Sequence, residues 1–505
     1  MKRNYFTYML QAVVLLCTSL VITSCDDIFA SEDNPIASYL SMSDKDVTIK
    51  VNESYTRKAI AVSDAVIEYS SSATDVATVD QSGTVKGVAA GTATITAKAT
   101  GYSTGGKKIF IEEKKSYEVT VTPAAPSRTY RVYTSATAYT DEPVPDGAIL
   151  VESSATAVSW PAGTYVVEDD VTITGDITLT GDVKLILSDG AELTLNGMIN
   201  GQASNASICI YGQIASTGKL TINDGGGSFD INVNNLEIHG GDILATNADQ
   251  AIETGTAGTL NIYHGKVTAT GPYNGFEALG NFNIYGGTVI ATATNYTRMG
   301  IECGGTLTIE DGAVTAIGGD GVDGNENGGH AISCSTIIIN GGTINATGGD
   351  PYGTGNGGSG IYSDGDITIN GNASVTATAN GNIGIGIRAY NIQIGQTGTP
   401  IVNATGYDFG IYAGTQIDFI AGNVKGTTNA GMAFGIAAPQ INYFGGTVEG
   451  EGSSGFGIGA TITNKSGATV TIGRRTNPTD GWTGENVANN AASTKIGDYM
   501  ILPMP

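Results

Sequence analysis

"RMGIECGGTLTIEDGAVTAIGG" is the sequence of residues 298–319, and close variants of it recur along more than half of the chain. Each variant contains, in order, a G-[I/F]-x-small segment, an x-I-x-I segment and a G-G-T-V-x-A-T segment. The second segment recurs every 22 to 30 residues, at Ile238, Ile262, Ile284, Ile309, Ile339, Ile369, Ile394, Phe419 and Tyr443. A period of this length is typical of a solenoid. Because each unit holds three short strand patterns and no helical period, one unit is predicted to be one coil of a parallel β-helix.

The interior of this helix can be read from residues that lie two apart, since these point to the same side of a strand. In the first segment a large apolar residue is followed two positions later by a small one, as in Ile301 and Cys303, or Ile332 and Cys334. The third segment repeats this order with valine and alanine. These residues are predicted to fill a narrow interior. We expect Cys303 and Cys334 to stack one strand spacing, about 4.8 Å, apart and to remain reduced.

Glu302 lies between two inward residues and is therefore predicted to face outward. The aligned outward positions are Glu253, Glu277, Glu302, Ser333, Tyr362, Arg388, Tyr412 and Ala437. Three carboxylates on successive coils repel one another unless water or a cation screens them, so a solvated acidic face is predicted, with bridging calcium as the alternative. Tyr362, Arg388 and Tyr412 are expected to form an aromatic–cation–aromatic ladder. Its flat rings could stack on sugars, or they could serve the β structure alone.

Two aligned loops, residues 318–332 and 348–361, are rich in glycine and in side-chain oxygen atoms. Asp320 and Asp350 fall at the same place in adjacent coils, and Asp323 and Asn325 lie nearby. Such oxygens suit calcium, although the spacing is not that of the helix–loop–helix calcium motif. The alternative is a plain turn that uses Gly, Asn and Asp for their backbone conformations.

No catalytic constellation is evident in the sequence. A pair of carboxylates at the separation that glycoside hydrolysis requires cannot be identified, and His239, His264 and His330 do not align into one ligand column. The histidines are interpreted as scattered turn residues without zinc. We therefore predict that the protein is not an enzyme, with a polysaccharide lyase or hydrolase of unrecognised site as the alternative.

Composition limits the partners. The 505 residues include 24 Lys and Arg against 48 Asp and Glu, a formal net charge of −24. Nucleic acid is a poor partner for such a surface because phosphate binding depends on clustered cations. Cations and neutral sugars remain compatible with it, and the protein is predicted to be a monomer.

The N-terminus carries an export pattern. Residues 1–24 combine two early positive charges, an apolar run and small residues, as in a signal peptide. The run Ile22-Thr23-Ser24-Cys25 resembles a bacterial lipobox, and Asp26-Asp27 resembles the acidic export tag of Bacteroidota surface lipoproteins. This resemblance implies that Cys25 is lipidated and holds the chain in the outer membrane, exposed on the cell surface. Residues 25–37 would then be the lipidated cysteine and its tether.

A second resemblance covers residues 38–123. The succession V-A-T-V-D (76–80), G-T-V-K-G (83–87) and A-G-T-A-T-I-T-A (90–97) resembles the bacterial immunoglobulin-like group 2 family. It implies a β-sandwich that acts as a spacer or adhesive module. Four prolines mark residues 124–149 as a linker. The β-helix is predicted over 150–472, and a C-terminal cap over 473–505.

The whole chain is thus predicted to be all-β, an Ig-like β-sandwich followed by a right-handed parallel β-helix. Its G-G-T-[VI]-x-A-T repeats resemble carbohydrate-binding β-helix families. The resemblance implies a non-catalytic surface lipoprotein that binds polysaccharide or glycan, with Tyr362, Arg388, Tyr412 and Glu302 as candidate contacts. A structural rod or a protein-binding adhesin is the remaining alternative.

Overall fold

The computed structural model describes residues 36–37, 39–51, 53–61, 65–100, 110–122, 128–223, 225–246, 248–295, 297–324, 326–429, 434–452, 457–476, 479–493 and 499–504. The predicted signal peptide, Cys25 and Asn325 lie outside these ranges. The chain divides into two compact units, residues 1–128 and residues 129–505. Within the described ranges there is no helix of the length and apolarity needed to cross a membrane.

The first unit is a small β-sandwich. Its strands are β1 (Ile36–Ala37), β2 (Val47–Lys50), β3 (Ser54–Thr56), β4 (Val66–Ser71), β5 (Ala77–Val79), β6 (Thr84–Gly87), β7 (Gly91–Thr100), β8 (Phe110–Ile111) and β9 (Glu113–Thr122). One sheet has the order β2-β9-β7-β4 and the other β3-β6-β5. Alternating residues of both sheets, such as Ile95, Val119 and Val85, are fully buried between them. The predicted sandwich is confirmed.

The second unit begins with a β-hairpin, β10 (Thr129–Tyr133) and β11 (Tyr139–Pro143). This segment was expected to be a linker because of its prolines. Instead, Tyr130 and Val132 pack against Val166, Ile186 and Tyr211 of the following coils. Pro143 and Pro145 lie at the end of β11 and just beyond it, where they do not interrupt the pairing of the hairpin.

The solenoid follows. Its strands up to β29 are β12 (Ile149–Leu150), β13 (Val158–Trp160), β14 (Gly163–Val167), β15 (Val171–Thr174), β16 (Ile177–Leu179), β17 (Val183–Leu187), β18 (Glu192–Asn196), β19 (Ile199–Asn200), β20 (Ile208–Gly212), β21 (Lys219–Ile222), β22 (Phe229–Val233), β23 (Leu236–Ile238), β24 (Asp242–Ala245), β25 (Gln250–Thr254), β26 (Thr259–Ile262), β27 (Lys266–Gly271), β28 (Phe276–Ala278) and β29 (Asn281–Ile284). A short 3-10 helix spans Gln202–Ser204.

The remaining strands are β30 (Thr288–Ala293), β31 (Ile301–Ile309), β32 (Ala313–Ile317), β33 (Ile332–Ile339), β34 (Thr343–Thr347), β35 (Ile361–Ser363), β36 (Asp366–Gly371), β37 (Ser374–Thr378), β38 (Ile385–Gly398), β39 (Ile401–Gly406), β40 (Phe409–Phe419), β41 (Asn423–Thr428), β42 (Phe434–Tyr443), β43 (Thr447–Glu451), β44 (Ile458–Asn464), β45 (Val470–Arg475), β46 (Thr483–Val487), β47 (Ala492–Ser493) and β48 (Tyr499–Leu502).

Each coil contributes to two long sheets. In the described residues the first sheet has 22 strands and carries the first and second repeat segments, while the second sheet has 15 strands and carries the third segment. Coils pair in parallel and in register, as in Ile301 beside Ile332 and Cys303 beside Cys334. The solenoid makes about 11 turns from residue 171 onward. The predicted fold, a β-sandwich followed by a parallel β-helix, is confirmed.

The predicted inner columns fill the interior. Ile301, Ile332 and their equivalents are fully buried, and Cys303 and Cys334 are 3% and 4% exposed. Both cysteines are free thiols, as expected. Burial raises the pKa of Cys334 well above its ordinary value, so this thiol stays protonated.

The repeated Gly-Gly pair has a steric origin. Its second member turns the chain into the second sheet with a positive φ, for example 82° at Gly287 and 81° at Gly342. A Cβ at Gly342 would lie 2.6 Å from the carbonyl oxygen of Gly312 on the preceding coil. Glycine is therefore required both by the backbone conformation and by the close approach of the coils.

The C-terminal segment closes the last coil, where a cap was predicted. β48 pairs antiparallel with β43, and β47 pairs antiparallel with β44. Met500 and Leu502 are buried at this end. The last parallel strands are thus covered, and their edges are not left open to another chain.

Candidate functional site

The outward column containing Glu302 forms in the predicted order. The strand register places Glu253 beside Glu277, Glu277 beside Glu302, and Glu302 beside Ser333. It continues through Tyr362, Arg388, Tyr412 and Ala437. We call these eight residues the open column. Its members up to Tyr412 are half-buried or exposed, whereas Ala437 is buried.

The acidic half of the open column is connected by side-chain amides. Asn274, which is fully buried, donates from its Nδ2 to Oε2 of Glu277 at 3.0 Å and to Oε2 of Glu302 at 2.8 Å. Its Oδ1 accepts the backbone N–H of Met299 at 3.0 Å. Glu277 also accepts a hydrogen bond from Gln250. The carboxylates are therefore fixed in position and are not simply solvated, which the sequence pattern did not reveal.

Burial sets the protonation of this half. It raises the pKa of Glu277 above its ordinary value, and the negative charge of Glu302 raises it further. Burial likewise raises the pKa of Glu253, with a further contribution from the charge of Glu277. Neighbouring carboxylates that share a site disfavour ionisation of one another. Glu253 and Glu277 therefore hold a proton to a higher pH than an ordinary glutamate does.

The aromatic half of the open column forms the expected ladder, with an additional histidine. The ring of His330 stacks on Tyr362 with centroids 4.6 Å apart and planes 12° apart. The guanidinium carbon of Arg388, on the next coil, lies 5.3 Å from the Tyr362 ring centroid. Since His330 belongs to the preceding coil and Arg388 to the following one, both faces of the Tyr362 ring are covered. Tyr362 cannot itself offer a free face to a sugar.

The protonation of His330 follows from these contacts. Burial, and next the charge of Arg388, lower the pKa of His330 to about 4. Its Nδ1 accepts the backbone N–H of Ser359 at 2.8 Å. The hydroxyl of Tyr362 donates to Asp364, a contact that raises the pKa of this phenol. His330 therefore lies in a loop, as expected, but it is a neutral ring held in a fixed stack.

Accessible aromatic surface lies beside the ladder. Tyr412 packs at an angle of 41° against Phe409 with ring centroids 5.0 Å apart and remains half-buried. Tyr390 follows Arg388 by two residues and is 57% exposed. Tyr390 does not stand out in the sequence, because it lies between two repeat segments, where the strand register shifts. The signal that could have identified Tyr390 is its position two residues after Arg388, since residues two apart on a strand point to the same side.

The two loops with candidate calcium ligands come together as the alignment predicted. Oδ1 of Asp320 accepts the backbone N–H of Asp350 at 2.8 Å, and the backbone N–H of Gly321 donates to the carbonyl of Asp350. Asp320, Asp323 and Asp350 are all exposed, and Asn325 lies outside the described residues. In the described part of the chain, no three His, Cys, Asp or Glu side chains converge enough to hold a metal ion. Calcium binding at these loops stays a prediction.

A second outward column on the first sheet went unrecognised in the sequence. It consists of Val166, Ile186, Tyr211, His239, Tyr263 and Tyr285, and we call it the covered column. The rings from Tyr211 to Tyr285 stack with centroids 4.5 to 4.8 Å apart and planes 5° to 7° apart. His239 is 4% exposed. His239 lies in the turn between β23 and β24, as expected, but hairpin β10–β11 lies over it and buries it.

Comparison with known families identifies one part of the chain. Residues 39–108 match the family model of the bacterial Ig-like domain (group 2). The sandwich of the first unit is a bacterial Ig-like domain. No curated protein matches the chain. An Ig-like domain followed by a β-solenoid fits a surface or binding protein.

Proposed function

We propose that this chain is a non-catalytic lipoprotein of the outer membrane, exposed on the cell surface, whose β-helix binds polysaccharide or host glycan. Cys25 would carry the lipid, and the Ig-like domain would act as a spacer. The proposal rests on the open column, in which hydrogen-bonding and aromatic side chains repeat at the coil spacing along one side of a rigid sheet. Rigid elements hold a binding surface in place more precisely than loops do.

The contacts divide by chemistry. Since both faces of the Tyr362 ring are covered, stacking on a sugar would fall to Tyr412 and to the exposed Tyr390. Arg388 and Asp364, both exposed, would donate to and accept from sugar hydroxyls. Glu302 would extend the polar contacts toward the acidic half. A neutral polymer fits best, because polyanions are repelled by a chain with net charge −24.

Retention on insoluble polysaccharides tests the proposal. The whole chain is mixed with a panel of polymers, and the bound fraction is compared with that of the Tyr362→Ala/Tyr412→Ala variant and of a Tyr390→Ala variant. Tyr39→Ala, which changes a 71% exposed tyrosine of the Ig-like unit, is the matched control. We expect the affinity for the polymer to drop at least tenfold in Tyr362→Ala/Tyr412→Ala and in Tyr390→Ala. It should not change in Tyr39→Ala. Equal retention of all four proteins on every polymer contradicts the proposal and favours a structural rod or a protein adhesin.

The same assay addresses calcium. If the loops at Asp320, Asp323, Asn325 and Asp350 bind calcium, chelator weakens retention, and Asp320→Asn/Asp350→Asn makes the protein insensitive to chelator. Retention that is identical with calcium and with chelator removes calcium from the proposal without affecting glycan binding.

Hydrolysis of the glycan is a second candidate function, favoured by Glu277 and Glu302. Both Oε2 atoms accept a hydrogen bond from Nδ2 of Asn274, at 3.0 and 2.8 Å. The two Oε2 atoms therefore lie no farther from each other than the sum of these distances. Retaining glycosidases place their two carboxyl groups about 5 to 5.5 Å apart. Glu277, with its raised pKa, would be the acid and Glu302 the nucleophile. New reducing ends that disappear in Glu302→Gln would establish hydrolysis, while retention without products supports the non-catalytic proposal.

A further inference from the structure

Hairpin β10–β11 runs along the covered column and is held at three points. Tyr130 meets Tyr211 edge-on, with ring centroids 4.8 Å apart. The ring of Tyr133 stacks on His264 at 4.5 Å with planes 5° apart. Near the tip, Ala136 packs against Gly286: a Cβ added at Gly286 would come within 2.9 Å of the Cβ of Ala136. The hairpin thus crosses several successive coils and buries the aromatic rings beneath it.

One of its hydrogen bonds depends on a titratable group. The backbone N–H of Tyr133 donates to Nδ1 of His239 at 3.0 Å, and the histidine is 4% exposed. An imidazole nitrogen that accepts an N–H cannot also carry a proton. The other nitrogen, Nε2, lies 3.6 Å from Oε2 of Glu237, which favours the tautomer with its proton on Nε2. The attached hairpin therefore requires a neutral His239.

We propose that hairpin β10–β11 is a pH-sensitive strap, which neutral His239 holds on the covered column and which protonation of His239 at Nδ1 releases. In the attached state a proton on Nδ1 would oppose the Tyr133 N–H inside a buried contact. In the released state the Tyr133 N–H no longer occupies Nδ1, so a proton on this nitrogen meets no opposing donor. Because protons bind preferentially to the released state, acidification favours release.

The other ionisable groups around His239 differ in whether their protonation favours release. They are Cys209, Tyr211, Glu237, Tyr263, Tyr285, Lys184 and His264 on the coils, and Tyr130, Arg131, Tyr133, Tyr139 and Asp141 on the hairpin. The hydrogen bond with His239 lowers the pKa of Glu237, so this carboxylate stays ionised well below neutrality. Burial raises the pKa of Cys209 to about 12. Burial, and next the charge of Arg131, lower the pKa of His264, so protonation of His264 also favours release, and the variants below separate it from His239.

Release would change the surface of the solenoid. Tyr130 and Val132 would leave the apolar patch formed by Val166, Ile186 and Tyr211, and this patch would become exposed. This inference is independent of the proposed glycan binding, which concerns the open column.

Hydrogen–deuterium exchange of residues 129–143 in the whole chain tests the strap, at pH 7.5 and 5.0 with exposure times scaled for the intrinsic rate. In the parent, the opening equilibrium should be at least tenfold larger at pH 5.0 than at pH 7.5. His239→Phe keeps a ring between Tyr211 and Tyr263 but has no acceptor. In this variant the hairpin should exchange rapidly at both pH values, while β31 and β33 stay protected and show that the solenoid is folded.

A matched variant identifies the titrating histidine. His264→Phe keeps a ring against Tyr133 and leaves the acceptor on His239, so the pH dependence should persist. The proposal is wrong if the parent hairpin is equally protected at both pH values, or if the pH step survives in His239→Phe. Loss of protection at the Tyr133 amide alone, with the rest of the hairpin still protected, also overturns it.

Discussion

The covered column and the open column lie on the outer face of the same sheet, and each contains a histidine stacked against tyrosine. His239 accepts the N–H of Tyr133 and His330 accepts the N–H of Ser359, both through Nδ1. The donor to His239 comes from a hairpin more than 100 residues earlier in the chain, whereas the donor to His330 comes from the adjacent coil. The hairpin, which is distant in sequence, covers the stack that contains His239. The stack that contains His330 has no such cover and lies beside solvent. The same ladder is thus part of a core in one place and of a surface in the other.

The two columns should differ most in the stability that is lost when one aromatic ring is removed from each. Tyr211→Ala, under the hairpin, should lower the free energy of unfolding by about 3 to 5 kcal/mol, because a fully packed aromatic ring is lost. Tyr412→Ala, in the open column, should cost less than about 1 kcal/mol, as is usual for partly exposed positions. Urea unfolding followed by circular dichroism measures both. Equal costs would show that the hairpin adds nothing to the burial of Tyr211.

The amide in the acidic half of the open column should have the next largest effect. Asn274→Leu leaves the Met299 N–H without its acceptor and two carboxylates without their shared donor, which should cost about 1 to 3 kcal/mol. Urea unfolding at pH 7 measures this cost, with the exposed Asn345→Leu on the second sheet as control. A cost no greater than that of Asn345→Leu would mean that the carboxylates need no bridging donor.

The open column should also give the protein a defined pH dependence. The pKa of His330 is about 4 in the folded chain and about 6.5 in an unfolded one, so the unfolded state binds more protons between these values. Stability should therefore fall as the pH drops from about 6.5 toward 4. His330→Phe, which keeps a ring on Tyr362, should flatten this slope. Thermal unfolding at several pH values checks it, and an unchanged slope in the variant would assign the dependence to other groups.

The titration of Glu277 should change stability with pH in the direction opposite to that of His330. The pKa of Glu277 is raised in the folded state, so the folded chain holds the proton more tightly than the unfolded chain and stability is lost as the pH rises through this range. Glu277→Gln should therefore stabilise the protein at pH 7 by less than about 1 kcal/mol, a small effect because the site is partly solvated. At pH 4 the parent and the variant should be alike. A variant that is less stable than the parent at pH 7 would contradict the raised pKa.

The smallest expected effect is that of a reductant on the cysteines of the inner columns. Cys303 and Cys334 are buried free thiols on adjacent coils, so a reductant should not change the unfolding midpoint. A thiol reagent should leave both cysteines unmodified in the native protein and label them after denaturation. A shift of the midpoint with reductant would reveal a disulfide between them.

The sequence by itself determined the coil, the side on which each residue lies and the order of the open column from Glu253 to Tyr412. It could do so because a strand alternates sides at every residue and successive coils pair in register, so local spacing maps directly onto position. The tertiary structure decided which outward residues are covered. Residues 129–143 have no repeat that would assign them to Tyr211 and His239, and Asn274 lies in a turn outside the aligned segments. Contacts of this kind depend on where distant chain comes to lie, because burial is a property of the assembled surface and not of local spacing.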